Sequence, residues 1–157
     1  MDEPNECADA AARYRRTYGW PCTAHGHAVW MLAGEAAEAV DVPVVLGPGL
    51  AAVLHEHGRP HPVIQVPDEP GYWRFLVEPG PAAPPALAGE LTRHGARFLR
   101  HAALIELPPT RVRGGALRWV REPAGDLPAP AEVAGALITV VLGETTRSRT
   151  VPGRQQS

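Results

Sequence analysis

Short apolar runs along this chain follow two periods, one typical of helices and one typical of strands. Helical spacing follows Asn5, which caps a predicted helix that runs to Tyr18 and stops at Gly19. The same spacing predicts three further helices, over 48–58, 86–95 and 128–143. Runs rich in β-branched and aromatic residues predict strands at 20–24, 28–32, 38–45, 62–66 and 72–77, and two more within 103–119.

The strand predicted over 38–45 carries its apolar side chains on one face. Val40, Val42 and Val44 alternate with Asp41 and Pro43, so the acid points to the opposite face. Helices and strands are interspersed, and at least two connections are of hairpin type, which disfavours a purely parallel sheet. The pattern therefore predicts an α+β fold with a mixed β-sheet covered by helices.

Length and composition suit a single globular domain. The chain has 157 residues, of which 45% are apolar. Its 18 prolines and 16 glycines predict many turns and short elements. The last residues are polar, so we expect one domain over 1–144 and a disordered polar tail over 145–157.

Charge and cysteine content narrow the class of protein. A formal net charge of -2 argues against nonspecific coating of nucleic acid, although all 15 basic residues are arginine. Cys7 and Cys22 form no disulfide framework and indicate free thiols in a reducing compartment. The N-terminus lacks the apolar stretch of a signal peptide, and the longest apolar run, 134–142, is too short to span a bilayer. We expect a cytoplasmic protein without a membrane partner.

Asp41 lies inside a β-branched strand, where an unpaired buried carboxylate is costly. It sits at an exposed strand edge, accepts a hydrogen bond from a nearby backbone N–H, or ligates a metal such as Mg²⁺. Acids at positions i and i+2 project from the same face and can hold two metals, but the i+2 residue here is Pro43. Glu106, on another predicted strand, has no diagnostic spacing to Asp41.

Histidine and cysteine spacings do not define a metal site. The three histidines within 55–61 do not share a helix face and indicate a surface helix end rich in histidine. Cys22, His25 and His27 are three zinc-ligand types, but a structural zinc site needs a fourth ligand. We therefore expect no cofactor, except Mg²⁺ or Mn²⁺ if the domain is active.

Arginines recur in the second half of the chain, near tryptophans. The candidates for nucleic-acid binding are Arg93, Arg97, Arg100, Arg111, Arg113, Arg118, Trp73 and Trp119. If the last two strands form a hairpin, several of the arginines share one surface, where guanidinium groups bind phosphates and indole rings stack on bases. The alternative is a solvated basic edge that discourages strand-to-strand aggregation.

Four motifs follow one another along the chain: "AARYRRTYGWPC", "EAVDVP", "PGYWRFLVEPG" and "ALIELPPTRVRGGALRWV". Their order resembles that found in the N-terminal domain of bifunctional DNA primase/polymerases. "AARYRRTYGWPC" is similar to the opening helix of that family, and "EAVDVP" is similar to its central acidic strand. "PGYWRFLVEPG" is similar to the following strand, and "ALIELPPTRVRGGALRWV" to a strand that ends in Pro-Pro before a glycine turn. The matches span residues 11–121, and the chain is most similar to the short, stand-alone actinobacterial form without a helicase region.

The resemblance implies which catalytic residues this chain keeps. The family has two acids on the central strand, a histidine on the next strand and a later acid before the Pro-Pro strand. Asp41 matches the first acid, and Pro43 stands at the second. Residues 72–74 do not include the histidine, and residues 97–100 do not include the later acid. Asp41 is therefore the one catalytic residue carried over from the family.

We expect a primase/polymerase-like domain, a nucleotidyltransferase by family, that is catalytically inactive. Weak binding of nucleic acid or nucleotide would then give it a regulatory role in DNA replication. One alternative is an active nucleotidyltransferase that uses Asp41 with an unmatched second acid such as Glu106. The other is a protein-interaction module whose former substrate cleft binds a protein partner. A second acid within metal-bridging reach of Asp41 favours the first alternative, and an apolar, uncharged cleft favours the second.

Overall fold

The structure, a computed structural model, describes the backbone of residues 5–150 and the side chains of residues 5–143. The helices are α1 (Glu6–Tyr18), α2 (Gly47–Glu56), α3 (Pro85–Arg93) and α4 (Pro130–Thr150). The strands are β1 (Thr23–His25), β2 (Ala28–Leu32), β3 (Glu38–Pro43), β4 (Val63–Val66), β5 (Tyr72–Val77), β6 (Arg97–Leu99), β7 (Leu104–Glu106), β8 (Arg111–Val112), β9 (Gly115–Ala116) and β10 (Arg118–Arg121). Helices form in all four segments predicted to be helical, and the predicted α+β class is confirmed.

Local sequence determines both ends of α1. The side chain of Asn5 accepts hydrogen bonds from the backbone N–H groups of Cys7 and Ala8, both at 3.1 Å. Gly19 has a φ of 71°, the left-handed conformation that glycine adopts without a steric penalty at the end of a helix. The predicted helix between Asn5 and Gly19 is therefore confirmed, including its two caps.

The strands are divided among three sheets, and the pairings within the described residues are all antiparallel. A five-stranded sheet has the order β10-β4-β5-β3-β6, a three-stranded sheet has the order β1-β2-β7, and β8 pairs with β9. The sequence predicts Asp41, Phe75 and Ile105 on neighbouring strands of one mixed sheet. This is wrong for Ile105, which lies on β7, because hydrophobic alternation identifies the buried face of a strand but not its neighbour.

A turn after β6 leads the chain from the five-stranded sheet to the three-stranded one. β6 is not predicted from the sequence, because three residues are too few to show an alternating pattern. His101 and Ala102 follow it with φ values of 20° and 68°. Backbone hydrogen bonds then join Ala33 to Ala102 and Ala103, which aligns β7 with β2. β10 pairs with β4, so the last two predicted strands do not form a hairpin with each other.

The five-stranded sheet is buried on both faces. Helices α2, α3 and α4 cover one face, and α1 together with the three-stranded sheet covers the other. Along β3, Val40 and Val42 belong to the core under the helices, whereas Ala39 belongs to the opposite core. Asp41 shares the face of Ala39, as the alternation predicts. Val44, predicted to continue the apolar face, lies beyond the strand and is exposed.

Helix α4 extends further than the sequence predicts. It runs to Thr150, so the predicted domain boundary at 144 falls inside the helix. The backbone of 145–150 is thus helical where a disordered tail is expected, and the rest of that tail, 151–157, lies outside the described residues. Within the described part of the chain, no helix is long and apolar enough to span a membrane.

Candidate functional site

Asp41 lies on the fourth of the five strands of the larger sheet, between β5 and β6, with 2% of its surface exposed. Its direct neighbour across the β3–β5 pair is Arg74, which is equally buried at 4%. The Arg74 guanidinium donates from Nε to Asp41 Oδ1 at 2.8 Å and from Nη2 to Oδ2 at 3.1 Å. Both carboxylate oxygens are therefore occupied by one side chain. The expectation of an exposed strand edge is wrong, because β6 covers the other side of β3.

Arg74 also connects the two larger sheets. Its Nη1 donates to the backbone carbonyl of Glu106 on β7 at 2.9 Å, and its guanidinium lies over the ring of Tyr72 at 5.7 Å. Burial by itself lowers the pKa of Arg74, but the hydrogen bonds to Asp41 and its charge raise that pKa above its ordinary value. Arg74 is thus a permanently charged partner of Asp41 between the sheets.

The residue types considered as metal ligands are not grouped in the described part of the chain. Among the residues that the structure describes, no group of three or more histidine, cysteine, aspartate or glutamate side chains is arranged to hold an ion. Cys22 and Cys7 are both buried free thiols. Burial is the main reason that the pKa of the Cys22 thiol is raised to about 11, so it is protonated at neutral pH and a poor ligand or nucleophile.

The predicted arginine cluster does not share one surface. Arg97 and Arg100 lie on or next to β6, and Arg118 lies on β10. These are the two opposite edges of the five-stranded sheet, with three strands between them. At about 4.8 Å between adjacent strands, the edges are roughly 19 Å apart. These arginines are expected to share one surface only if the last two predicted strands form a hairpin, and that hairpin does not form because β10 pairs with β4.

Two of the candidate arginines contact acids of the protein itself. Arg100 donates to Glu38 Oε2 at 3.2 Å and to the backbone carbonyl of Gly80 at 2.6 Å, which secures the loop before α3. Arg93, at the end of α3, is 3.5 Å from Glu90 and largely exposed. Arg100 therefore has a structural role, and Arg93 contributes to a solvated surface.

Three candidate arginines do lie close together in sequence and structure. Arg111 belongs to β8 of the short hairpin, Arg113 lies in its turn, and Arg118 begins β10 directly after it. All three side chains are exposed. We call this set, Arg111, Arg113 and Arg118, the hairpin edge.

The two candidate tryptophans are packing residues. Trp119 Nε1 donates to the hydroxyl of Tyr14 at 3.0 Å, and that hydroxyl donates to the carbonyl of Pro108 at 2.6 Å. Trp73 packs so closely on Gly47 that a Cβ there would lie 2.6 Å from the indole ring. Both indoles are partly buried, so neither is a freely exposed stacking platform for a base.

A groove that the sequence does not indicate lies between α2 and β10. It is lined by His55, His61 and Arg121, with Val63 and Trp73 among the residues around them. The sequence predicts the histidines of 55–61 at a surface helix end, which is wrong for His61, because only 2% of that residue is exposed. No local pattern reveals its burial in the loop before β4, because the surrounding residues come from distant parts of the chain, such as Arg121.

Comparison with known proteins gives no relative: no family model, no curated protein and no solved structure matches this chain.

Proposed function

We propose that this chain is a primase/polymerase-like domain that does not transfer nucleotides and that acts by binding nucleic acid, in a regulatory role in DNA replication. The observation that carries the loss of catalysis is the bidentate ion pair between Arg74 and Asp41. Asp41 matches the first catalytic acid of the family that the sequence resembles, and Arg74 occupies both of its oxygens.

Nucleotidyl transfer needs carboxylates that are available to Mg²⁺ ions and the substrate phosphates. Here the carboxylate of Asp41 is neutralised by a fixed guanidinium, and Arg97 lies opposite it on the other neighbouring strand. Pro43, at the position of the second acid, shares its face of β3 and supplies no ligand. A row of two arginines and one acid repels a divalent cation, which supports an inactive domain.

The alternative of an active enzyme predicts a measurable activity. We expect no template-dependent incorporation of labelled nucleotides with Mg²⁺ or Mn²⁺, with or without a primer. Glu106→Gln serves as the decisive variant, because the contact of Glu106 with Arg74 uses its backbone carbonyl and the fold should survive the change. If the wild type incorporates nucleotides and Glu106→Gln does not, the chain is an active nucleotidyltransferase and the proposal of an inactive domain is wrong.

The hairpin edge is the surface that we propose for nucleic-acid binding. Three exposed arginines there can each neutralise a phosphate, and binding then releases counterions. For single-stranded DNA, the slope of log K against log salt should be about -0.7 per phosphate, or roughly -2 for three contacts. Binding should thus be measurable at low salt and largely lost at physiological salt.

Fluorescence anisotropy with labelled single- and double-stranded DNA across a salt series tests this surface. Arg111→Ala/Arg113→Ala should abolish most of the binding and flatten the salt dependence. Arg93→Ala/Arg97→Ala removes the same charge near the opposite edge of the sheet and should leave binding nearly unchanged. Equal losses in the two double variants would indicate nonspecific attraction, and no binding at low salt would favour the protein-interaction alternative.

The former cleft itself gives little support to a protein-interaction module. That alternative requires an apolar, uncharged surface, whereas the space between the two larger sheets holds the buried pair of Arg74 and Asp41. The neighbouring Tyr72 is partly buried against the same guanidinium. The charged pair between the sheets therefore favours the hypothesis of nucleic-acid binding over that of a protein-interaction module.

A further inference from the structure

The groove between α2 and β10 lies on the helix-covered face of the five-stranded sheet, opposite to Asp41. It consists of two adjoining cavities of about 320 and 430 Å³ that share His55, His61 and Arg121. The α2 wall is built from small residues, including Ala51 and Ala52, which leave space between the helix and the strand. The combined space is large enough for a small organic molecule.

A β-bulge directs Arg121 into this groove. Along β10, Arg118 pairs with Gln65 and Trp119 pairs with Ile64, but Val63 pairs with Arg121 because the register shifts by one residue. In an unbroken strand Arg121 would share the face of Trp119, on the other side of the sheet. The extra residue instead turns Arg121 toward the side of Val63, where it lines both cavities. Bulges of this kind often re-aim a side chain at a binding site.

His61 forms the wall that both cavities share. Its Nδ1 lies 2.8 Å from the backbone carbonyl of Arg59, which accepts a hydrogen bond, so Nδ1 carries the ring proton. Nε2 is then the acceptor of the neutral ring. Burial is the main reason that the pKa of His61 is lowered, and the nearby Arg121 and His55 lower it further, which keeps the ring neutral.

The charges around the groove leave one cation without a partner. Arg59 pairs with Glu132 at 3.0 Å, whereas Arg121 has no ion pair within the described part of the chain. Glu122 lines the first cavity but not the second, whose apolar lining includes Pro48, Val63, Trp73 and Val120. The groove thus combines an apolar floor with a single unpaired guanidinium.

We propose that this groove binds a small organic anion, whose apolar body lies over Trp73 and Val120 and whose carboxylate or phosphate group pairs with Arg121. A guanidinium favours both head groups because it donates two parallel hydrogen bonds. This site is distinct from the hairpin edge and does not depend on nucleic-acid binding.

The test is a titration of the full-length protein with phenyl phosphate, phenylacetate and inorganic phosphate, followed by NMR of the histidine rings and tryptophan indoles. Phenyl phosphate or phenylacetate should shift the signals of His61 and Trp73 with saturation. Inorganic phosphate should bind at least roughly 10-fold more weakly, because it buries no apolar surface. Stronger binding of phenyl phosphate identifies a phosphate head group, and stronger binding of phenylacetate a carboxylate.

Arg121→Gln should weaken binding by at least roughly 10-fold, since a hydrogen bond to a charged group is lost. Arg93→Gln, an exposed arginine on α3, is the matched control and should bind as the wild type does. The proposal is overturned if the aromatic anions give no saturable shift, if inorganic phosphate binds as tightly as they do, or if Arg121→Gln retains full affinity. DNA binding measured on Arg121→Gln should be unchanged, which separates a failure here from a failure at the hairpin edge.

Discussion

At the residue scale, the ion pair of Asp41 and Arg74 is the most deeply buried salt bridge among the described residues. Both side chains are more than nine-tenths buried. Each charge compensates the other, because either one buried without a counter-ion would strongly destabilise the fold. Arg74 additionally satisfies the carbonyl of Glu106, which otherwise faces the interior without a strand partner on that side. The pair thus stabilises the contact between the two sheets, and each oxygen of the Asp41 carboxylate accepts a hydrogen bond from Arg74.

Breaking the pair from one side should be costly. We expect Asp41→Asn to lower the free energy of unfolding by about 3–5 kcal/mol, because it leaves the Arg74 charge buried without a counter-ion. Urea denaturation followed by circular dichroism measures the change. Replacing both partners with apolar residues, as in Asp41→Leu/Arg74→Met, should recover most of the loss. If Asp41→Asn is as stable as the wild type, the pair is not the structural element that we describe.

His61 should make stability depend on pH. Burial lowers its pKa in the folded protein, so below the ordinary value of about 6.5 the unfolded chain binds a proton that the folded chain does not. The stability that the neutral ring contributes is present above that pH and is lost as the pH falls further. His61→Gln should therefore show a smaller loss of stability between pH 7 and pH 5 in urea titrations. His57→Gln, exposed at the end of α2, is the control and should retain the wild-type slope.

At the scale of elements, the β8–β9 hairpin depends on close contact with the loop after β4. A Cβ on Gly114 would collide with the backbone carbonyl of Pro67, and backbone cannot move aside as a flexible side chain can. The same contact sets the position of Arg111 and Arg113. The hairpin edge is therefore held in place by packing at its turn, as well as by the pairing of its two short strands.

Gly114→Ala should therefore displace the hairpin and lower the free energy of unfolding by on the order of 2 kcal/mol. It should also reduce DNA binding, if the hairpin edge is the binding surface. Gly89→Ala, in the exposed middle of α3, is the control, because a Cβ there meets no atom within 4 Å. That change should be neutral or stabilising by up to about 1 kcal/mol. A Gly114→Ala protein with wild-type stability in thermal or urea unfolding would contradict the contact.

At the scale of the whole molecule, two cores on opposite faces of one sheet make the fold interdependent. Leu50 lies in the core under the helices, and Ile105 lies in the core against the three-stranded sheet. The strands of the five-stranded sheet contribute residues to both cores, so neither core can be lost while the other stays intact. We expect a single cooperative transition, even though the chain contains three separate sheets.

Leu50→Ala and Ile105→Ala test this coupling. Each substitution should lower the free energy of unfolding by about 2–5 kcal/mol, because a fully buried aliphatic side chain is removed and a cavity remains. Far-UV circular dichroism and tryptophan fluorescence should give coincident urea transitions for both variants, since Trp73 reports on one core and Trp119 on the other. Two separated transitions in either variant would show that the layers unfold independently.

What the sequence by itself determined is local in the chain. Asn5 and Gly19 set the ends of α1 because a cap needs only a side-chain acceptor or a left-handed residue at the right position. The alternation of Val40, Asp41 and Val42 assigned their faces correctly, because consecutive side chains of a strand point in opposite directions. These properties depend on residues a few positions apart, so they are readable without knowledge of the rest of the fold.

Only the tertiary structure decided which distant residues meet. Arg74 is 33 positions from Asp41, and their ion pair results from the register of β3 against β5. Ile105 lies in the three-stranded sheet because β7 pairs with β2. Arg97 and Arg118 lie on opposite edges of the five-stranded sheet because β10 pairs with β4. The bulge that aims Arg121 at the groove likewise exists only in the pairing with β4. Strand partners and register are set by the packing of the whole molecule, which no local pattern encodes.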